Sequence, residues 1–169
     1  AGRLVDQLLA CHADPAYDDK TFGVICLQGH EQADVISQML LKRAGASMFK
    51  ERRLRCGEPY AFQGDERDVM FVSMVAAPNV NNGTLSADQR IYVQRFNVAM
   101  SRARDQMWLF HSVTVSDVSP SCLRRRVLDH FLTPRQDTIL GTAIDVPTLQ
   151  RRLHEQQAID EQIQAIIAY

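Results

Sequence analysis

Three short apolar runs constrain this chain most: residues 21–27 (TFGVICL), 69–75 (VMFVSMV) and 107–111 (MWLFH). Each is too short for a helix and rich in strand-favouring residues, and an unbroken apolar run suits a strand covered on both faces of a parallel sheet. Helical periods separate the runs. Ala33, Ile36, Leu40 and Ala44 recur every three or four residues until Gly45 stops them, and 88–103 carries helical periodicity through Ile91, Phe96, Met100 and Ala103. A lead-in helix carries Leu4, Val5, Leu8 and Leu9 and ends at Asp14-Pro15, where the residue before proline is pushed out of helical geometry. A short strand is expected at 54–56 and a turn-rich surface loop at 77–86. Strands alternating with helices predict an α/β domain with a mainly parallel sheet.

Downstream, 122–132 reads as an amphipathic helix ended by Pro134. Pro147 is suited to the first turn of a last helix, whose stripe is Leu149, Leu153, Ile159, Ile163 and Ile166. The expected organisation is a domain over 1–135 with its core at 21–111, then a linker and C-terminal helix over 136–169. A chain of 169 residues that is 46% hydrophobic and 23% charged has enough material for a real core and excludes disordered or low-complexity classes. With 19 Lys+Arg against 20 Asp+Glu, the net charge of -1 provides no global pull toward nucleic acid or membrane, so any such binding is local. Cys11, Cys26, Cys56 and Cys122 are spaced 15, 30 and 66 apart, unlike zinc or compact disulfide frameworks, and read as reduced, mostly buried thiols of a cytoplasmic protein. No membrane span or signal peptide is expected, and a start at Ala1 within a helical pattern fits a chain cut from a longer polypeptide.

Two polar segments run into buried strands. The first is Tyr60-Ala61-Phe62-Gln63-Gly64-Asp65-Glu66-Arg67-Asp68; the second runs from Arg95 through Asn97, Ser101 and Arg102 to Arg104. Ligands of parallel sheets sit outside the carboxyl ends of strands, which directs attention to both segments. Arg95 and Arg102, seven apart, are expected to share one helix face, with Asn97, Ser101 and Arg104 on an adjacent face and Phe96, Met100 and Ala103 toward the core. Two guanidiniums there make a phosphate grip, although arginines on a helix are most often a solvated face. Asp65, Glu66 and Asp68 raise a competing reading as a Mg²⁺ nuclease site. Alternation along an extended chain argues against all three facing one cavity, and no metal site is expected.

F-Q-G-D-E-R-D and R-F-N-V-A-M-S-R-A-R, each followed by an apolar strand, resemble motifs V and VI of superfamily 1 helicases, in the branch of the nonsense-mediated decay helicase and its bacterial relatives. That branch has F-Q-G-x-E-x-D and R-x-N-V-A-x-[ST]-R-A-[RK], and the resemblance covers roughly 21–111, a second RecA-like domain. It implies a RecA-like parallel sheet flanked by helices, of the P-loop NTPase type but itself without a P-loop. It also implies that Arg102 is an arginine finger reaching the γ-phosphate across a cleft, where such a group stabilises the charge developing in phosphoryl transfer. By the same resemblance Glu66 accepts hydrogen bonds from the ribose, Gln63 and Gly64 couple the phosphate site to the nucleic-acid track, and Arg95 joins the ATP cluster. The family's motif IV fits less well, since V-I-C-L-Q-G-H-E-Q aligns Gln32 only with one extra residue and leaves Gln28 and His30 as guesses for the base contact.

The chain has no G-x-x-x-x-G-K-[ST] and no Walker B strand, so ATP and Mg²⁺ are expected to be held mainly by an N-terminal RecA-like domain of the same polypeptide, and this piece alone is expected to be inactive. Single-stranded nucleic acid, DNA rather than RNA, is the expected partner. Its candidate contacts are Tyr60, Ser73 and the basic stretch holding Arg52 and Arg53; Arg124-Arg125-Arg126 is a second basic cluster. The rival readings are a nucleic-acid-stimulated ATPase without unwinding and a noncatalytic α/β interaction module that kept the fold.

Overall fold

A computed structural model describes residues 1–27, 30–75 and 90–133. The chain divides into two compact units, Ala1–Phe131 and Leu132–Tyr169. The described elements are α1 (Gly2–Ala13), β1 (Phe22–Cys26), α2 (His30–Glu51), β2 (Arg55–Gly57), β3 (Arg67–Met74), α3 (Arg90–Met100), β4 (Ala103–His111) and α4 (Leu123–Leu132). The expected loop at 77–86 and the helix from Pro147 lie outside the described residues.

The four strands form one sheet in the order β2-β1-β3-β4, and every neighbouring pair is parallel. This is the parallel α/β arrangement the apolar runs imply, and it agrees with the RecA-like sheet implied by the resemblance. All five residues of β1 are buried, which is why its run is unbroken rather than alternating. Side chains leave it by turns for two cores: Phe22, Val24 and Cys26 pack with Leu4, Leu8, Ile36 and Leu40, while Ile25 and Leu27 pack with Met70, Val72, Phe62 and Phe96. α1 and α2 cover one face, and α3, α4 and the one-turn helix Pro59–Phe62 cover the other. The step from β1 to β2 runs over the first face, and the steps from β2 to β3 and from β3 to β4 move the opposite way over the second. Reversing both direction and face keeps the three connections of one hand, as parallel sheets require.

Gly23 makes the β2-to-β3 crossing possible. A Cβ there would stand 2.5 Å from Met70 Sδ and 3.0 Å from Phe62 Cε1, so only a bare backbone lets Phe62 lie over β1. Several bounds differ from expectation. α2 breaks at Gly45 (φ 76, ψ 177), as its stop signal implies, but a second helical stretch follows to Glu51. β3 starts two residues before the apolar run because Arg67 already pairs with Ala103, and β4 starts at Ala103, well ahead of Met107. α3 ends at Met100, so Arg102 and Arg104 lie outside it.

At the amino edge of the sheet, one carboxylate oxygen of Asp68 accepts the Thr21 amide (2.7 Å) and hydroxyl (2.6 Å), and the Asp68 amide donates to Thr21 Oγ1 (3.0 Å). With Val69 N–H donating to Thr21 O at 3.0 Å, these bonds fix the start of the β1–β3 ladder. Burial opposes the charge on Asp68, but the Thr21 hydroxyl and amide outweigh it and hold the carboxyl below its ordinary range. All four cysteines are free; burial pushes Cys26 up to about 12 and Cys56 to about 11.

Two outcomes are expected. A folded-state value below the unfolded one means that the Asp68 contribution is present above about pH 4 and lost as pH falls through the depressed value. Asp68→Ala should therefore cost about 2 kcal/mol in chemical denaturation at pH 7, and the gap from wild type should narrow on acidification to pH 3. Second, a disulfide reagent at pH 8 should label Cys26 only at the rate of unfolding, because its side chain is buried and the thiolate is the reactive form. Rapid labelling of Cys26 in the native protein would contradict its burial.

Candidate nucleotide and nucleic-acid site

Parallel pairing brings three segments to the amino edge of the sheet. Arg67 pairs with Ala103 and Gly23 with Arg55, so residues 53–55, 63–67 and 101–104 meet there. The two polar segments thus precede their strands at the amino edge, not at the carboxyl ends where the general rule for parallel sheets directed attention. Their joint is direct, since the Arg67 amide donates to Arg102 O at 3.0 Å. Five arginines (Arg53, Arg55, Arg67, Arg102, Arg104) stand on this edge with three carboxylates (Asp65, Glu66, Asp68), which makes it locally cationic on a chain of net charge -1.

Residues 62–65 form a tight turn. Gln63 has φ -65 and ψ 117, Gly64 has φ 77, and Asp65 N–H donates to Phe62 O at 3.0 Å, which is type II geometry. The positive φ explains the glycine, because a Cβ at Gly64 would meet nothing within 4 Å. Gln63, Gly64 and Glu66 are exposed on the turn. Glu66 Oε2 accepts from Arg104 Nε at 3.3 Å, and both side chains are about half exposed. Arg102 donates through Nε (3.2 Å) and Nη2 (2.9 Å) to the hydroxyl of Ser101, and no described carboxylate pairs with it. Its charge is therefore not neutralised by a described partner. Asp65 pairs with Arg67 and, at 3.3 Å, with Arg55; Asp68 is turned toward Thr21. The three carboxylates have separate partners, and among the described residues no group of three His, Cys, Asp or Glu side chains converges for a metal.

Arg95 does not stand with Arg102. Because α3 ends at Met100, the shared helix face does not exist. Arg95 Nη2 instead bonds Glu58 Oε2, its guanidinium carbon lies 5.9 Å from the centre of the Tyr60 ring, and its Nε is buried with no described partner. His30 Nδ1 lies 3.5 Å from the other Glu58 oxygen, and Gln32 Oε1 is buried without a described partner; Gln28 lies outside the described residues. Glu58 follows β2 and His30 opens α2, so this cluster belongs to the carboxyl side. Tyr60 is 46% exposed, and Arg53 is exposed with φ 44.

Two expected nucleic-acid contacts, Arg52 and Ser73, are buried. Arg52 is 7% exposed, with Nε donating to His12 Nδ1 (3.0 Å), Nη2 to His12 O (3.0 Å) and Nη1 to Tyr17 O, and its guanidinium lies 5.2 Å from the Phe22 ring centre. Every nitrogen is used, tying the end of α1 and the turn Pro15–Tyr17 to the end of α2, and none faces a backbone track. Ser73 is 1% exposed within β3, because the strand is covered on both faces at that depth. In the second basic cluster Arg124 is buried, 5.9 Å from the Tyr92 ring centre, and Arg125 donates to Val115 O at 2.8 Å. Sequence reasoning missed Glu58, Arg55 and Arg67 as partners in these clusters. Knowing the strand starts would have exposed the last two, since residues preceding adjacent parallel strands share an edge.

None of the curated proteins compared matches the chain. Residues 1–114 match the family model of the AAA domain, which spans all four strands and both polar segments. With well over half its length matched in this way, the chain belongs to the AAA domain family, as a helicase-like domain of the P-loop NTPase class.

Proposed function

We propose that this chain is the second motor domain of an ATP-dependent superfamily 1 nucleic-acid helicase, acting on DNA in preference to RNA, and that its amino sheet edge completes an ATP site shared with another RecA-like domain. The observation that carries the reading is the meeting of Gln63, Gly64, Glu66 and Arg102 on one edge, joined through the Arg67–Arg102 backbone bond. Arg102 is an always-charged donor with no described carboxylate partner, which suits a group that must answer the negative charge of a transferring phosphoryl. Glu66 has an accepting carboxylate half open to solvent, which suits ribose hydroxyls, with Arg104 moving aside or joining the contact. Mg²⁺ belongs mainly to the P-loop domain on this reading, because the carboxylates here are engaged with Arg55, Arg67, Arg104 and Thr21.

Arg95, bonded to Glu58 and lying against Tyr60, supports the nucleic-acid side of the domain rather than the phosphate cluster. An exposed aromatic ring beside a guanidinium can stack a base, and Arg53 adds an exposed charge for the backbone. Closure and opening of the two motor domains around ATP then moves the pair along a strand.

The test is ATP hydrolysis by the complete polypeptide with and without single-stranded DNA or RNA, for wild type and Arg102→Ala. The expected result is stimulation by the nucleic acid and a loss of about 10³-fold or more in turnover on substitution, with the fold retained. Absence of hydrolysis, or a variant as active as wild type, favours a noncatalytic interaction module. Strand displacement separates an unwinding motor from a translocating ATPase.

A further inference from the structure

We infer that Arg67 is a positioning residue whose guanidinium locks the turn at 62–66 and thereby sets Glu66 toward the nucleotide. This rests on the nucleotide reading above and extends it to a position the motif leaves unspecified, since Asp65 and Arg67 fill the two open places in F-Q-G-x-E-x-D.

The turn has little else to hold it. Gln63 and Gly64 are exposed, nothing lies within 4 Å of a Cβ built at Gly64, and the ring of Phe62 anchors only its first residue in the core. Arg67 supplies the missing restraint from the first position of β3. Its Nη1 bonds the Asp65 carboxylate and the Glu66 carbonyl (2.7 Å), and its Nε donates to Arg53 O at 2.9 Å. The side chain is 14% exposed, so these charge-assisted bonds escape much of the screening that weakens a surface pair. Asp65 is bracketed on its other oxygen by Arg55 at 3.3 Å, and the Arg67 bond, then the arginine charges, hold its carboxyl below the ordinary range. One guanidinium therefore fixes Asp65 and the Glu66 carbonyl and ties them to the loop that ends α2. The planar fork matters, because three acceptors at separate angles suit Arg and not the single ammonium of Lys.

The same residue reaches the other segment through its backbone, whose amide holds Arg102 O at 3.0 Å. Changing the side chain leaves that ladder bond and the β3–β4 register in place. What changes is the orientation of the turn, so the effect falls on nucleotide handling rather than on folding.

The experiment measures kcat and KM for ATP in DNA-stimulated hydrolysis by the complete polypeptide, with melting temperature and amide hydrogen exchange over 63–66. The variants are Arg67→Gln, Arg67→Lys, Asp65→Asn and Arg102→Ala. Arg67→Gln should raise KM about tenfold and speed exchange in the turn, with melting within a few degrees of wild type; Arg67→Lys should rescue only part and Asp65→Asn should follow at smaller size. If Arg102→Ala abolishes turnover while Arg67→Gln leaves KM and kcat unchanged, the positioning role is overturned and the nucleotide reading stands. Loss of activity in Arg67→Gln that merely tracks a fall in melting temperature also overturns it. If Arg102→Ala is silent, the nucleotide reading fails and takes this inference with it.

Discussion

Parallel pairing of β3 with β4, starting at Arg67 and Ala103, is the interaction on which the candidate site depends. Parallel strands start at the same edge, so whatever precedes one is set beside whatever precedes the other. Here that rule joins a glycine-containing turn carrying Gln63 and Glu66 to a post-helical corner carrying Arg102 and Arg104. The strands themselves are held by burial on both faces, with Met70, Phe71 and Val72 fully enclosed between the two helical layers. A polar edge can therefore be exposed and charged without weakening the sheet.

The edge is also ordered by charge pairing rather than by packing. Asp68 is committed to Thr21, Asp65 to Arg67 and Arg55, and Glu66 to Arg104, in order of increasing exposure to water. The innermost pair sets strand register, the middle one holds the turn, and the outermost, with both partners about half exposed, is the weakest and the most readily exchanged for a ligand. Arg102 has only a neutral hydroxyl as described partner, and it closes this gradient at its open end.

Much of the fold was legible in the sequence because it rests on hydrophobic period, which depends on local composition. The three apolar runs are strands, the stretch around Ile36 and Leu40 is a helix, and Gly45 interrupts it where its φ of 76 requires. Pairing beyond the apolar residues was not legible: Arg67, Asp68 and residues 103–106 are polar or small, yet the strands include them, and this moved both strand starts. The placement of Arg95 followed the same error, since an ideal helix through Ala103 puts it beside Arg102 whereas α3 stops at Met100. Arg52 read as surface charge because composition does not show that His12 and Tyr17, far away in the chain, supply its acceptors. The motifs marked this edge; Thr21, Arg53 and Arg55, which help to order it, come from segments that no motif covers.

The central claim is that this amino edge faces nucleotide, and ribose recognition tests it most directly. Affinities of ATP and of its 2′,3′-dideoxy analogue would be compared in the complete polypeptide, for wild type and Glu66→Gln. The account predicts that wild type prefers ATP by about tenfold, as expected for a lost hydrogen bond to a charged acceptor, and that Glu66→Gln nearly abolishes the preference. Equal discrimination in both proteins would place the ribose elsewhere and contradict the assignment of this edge.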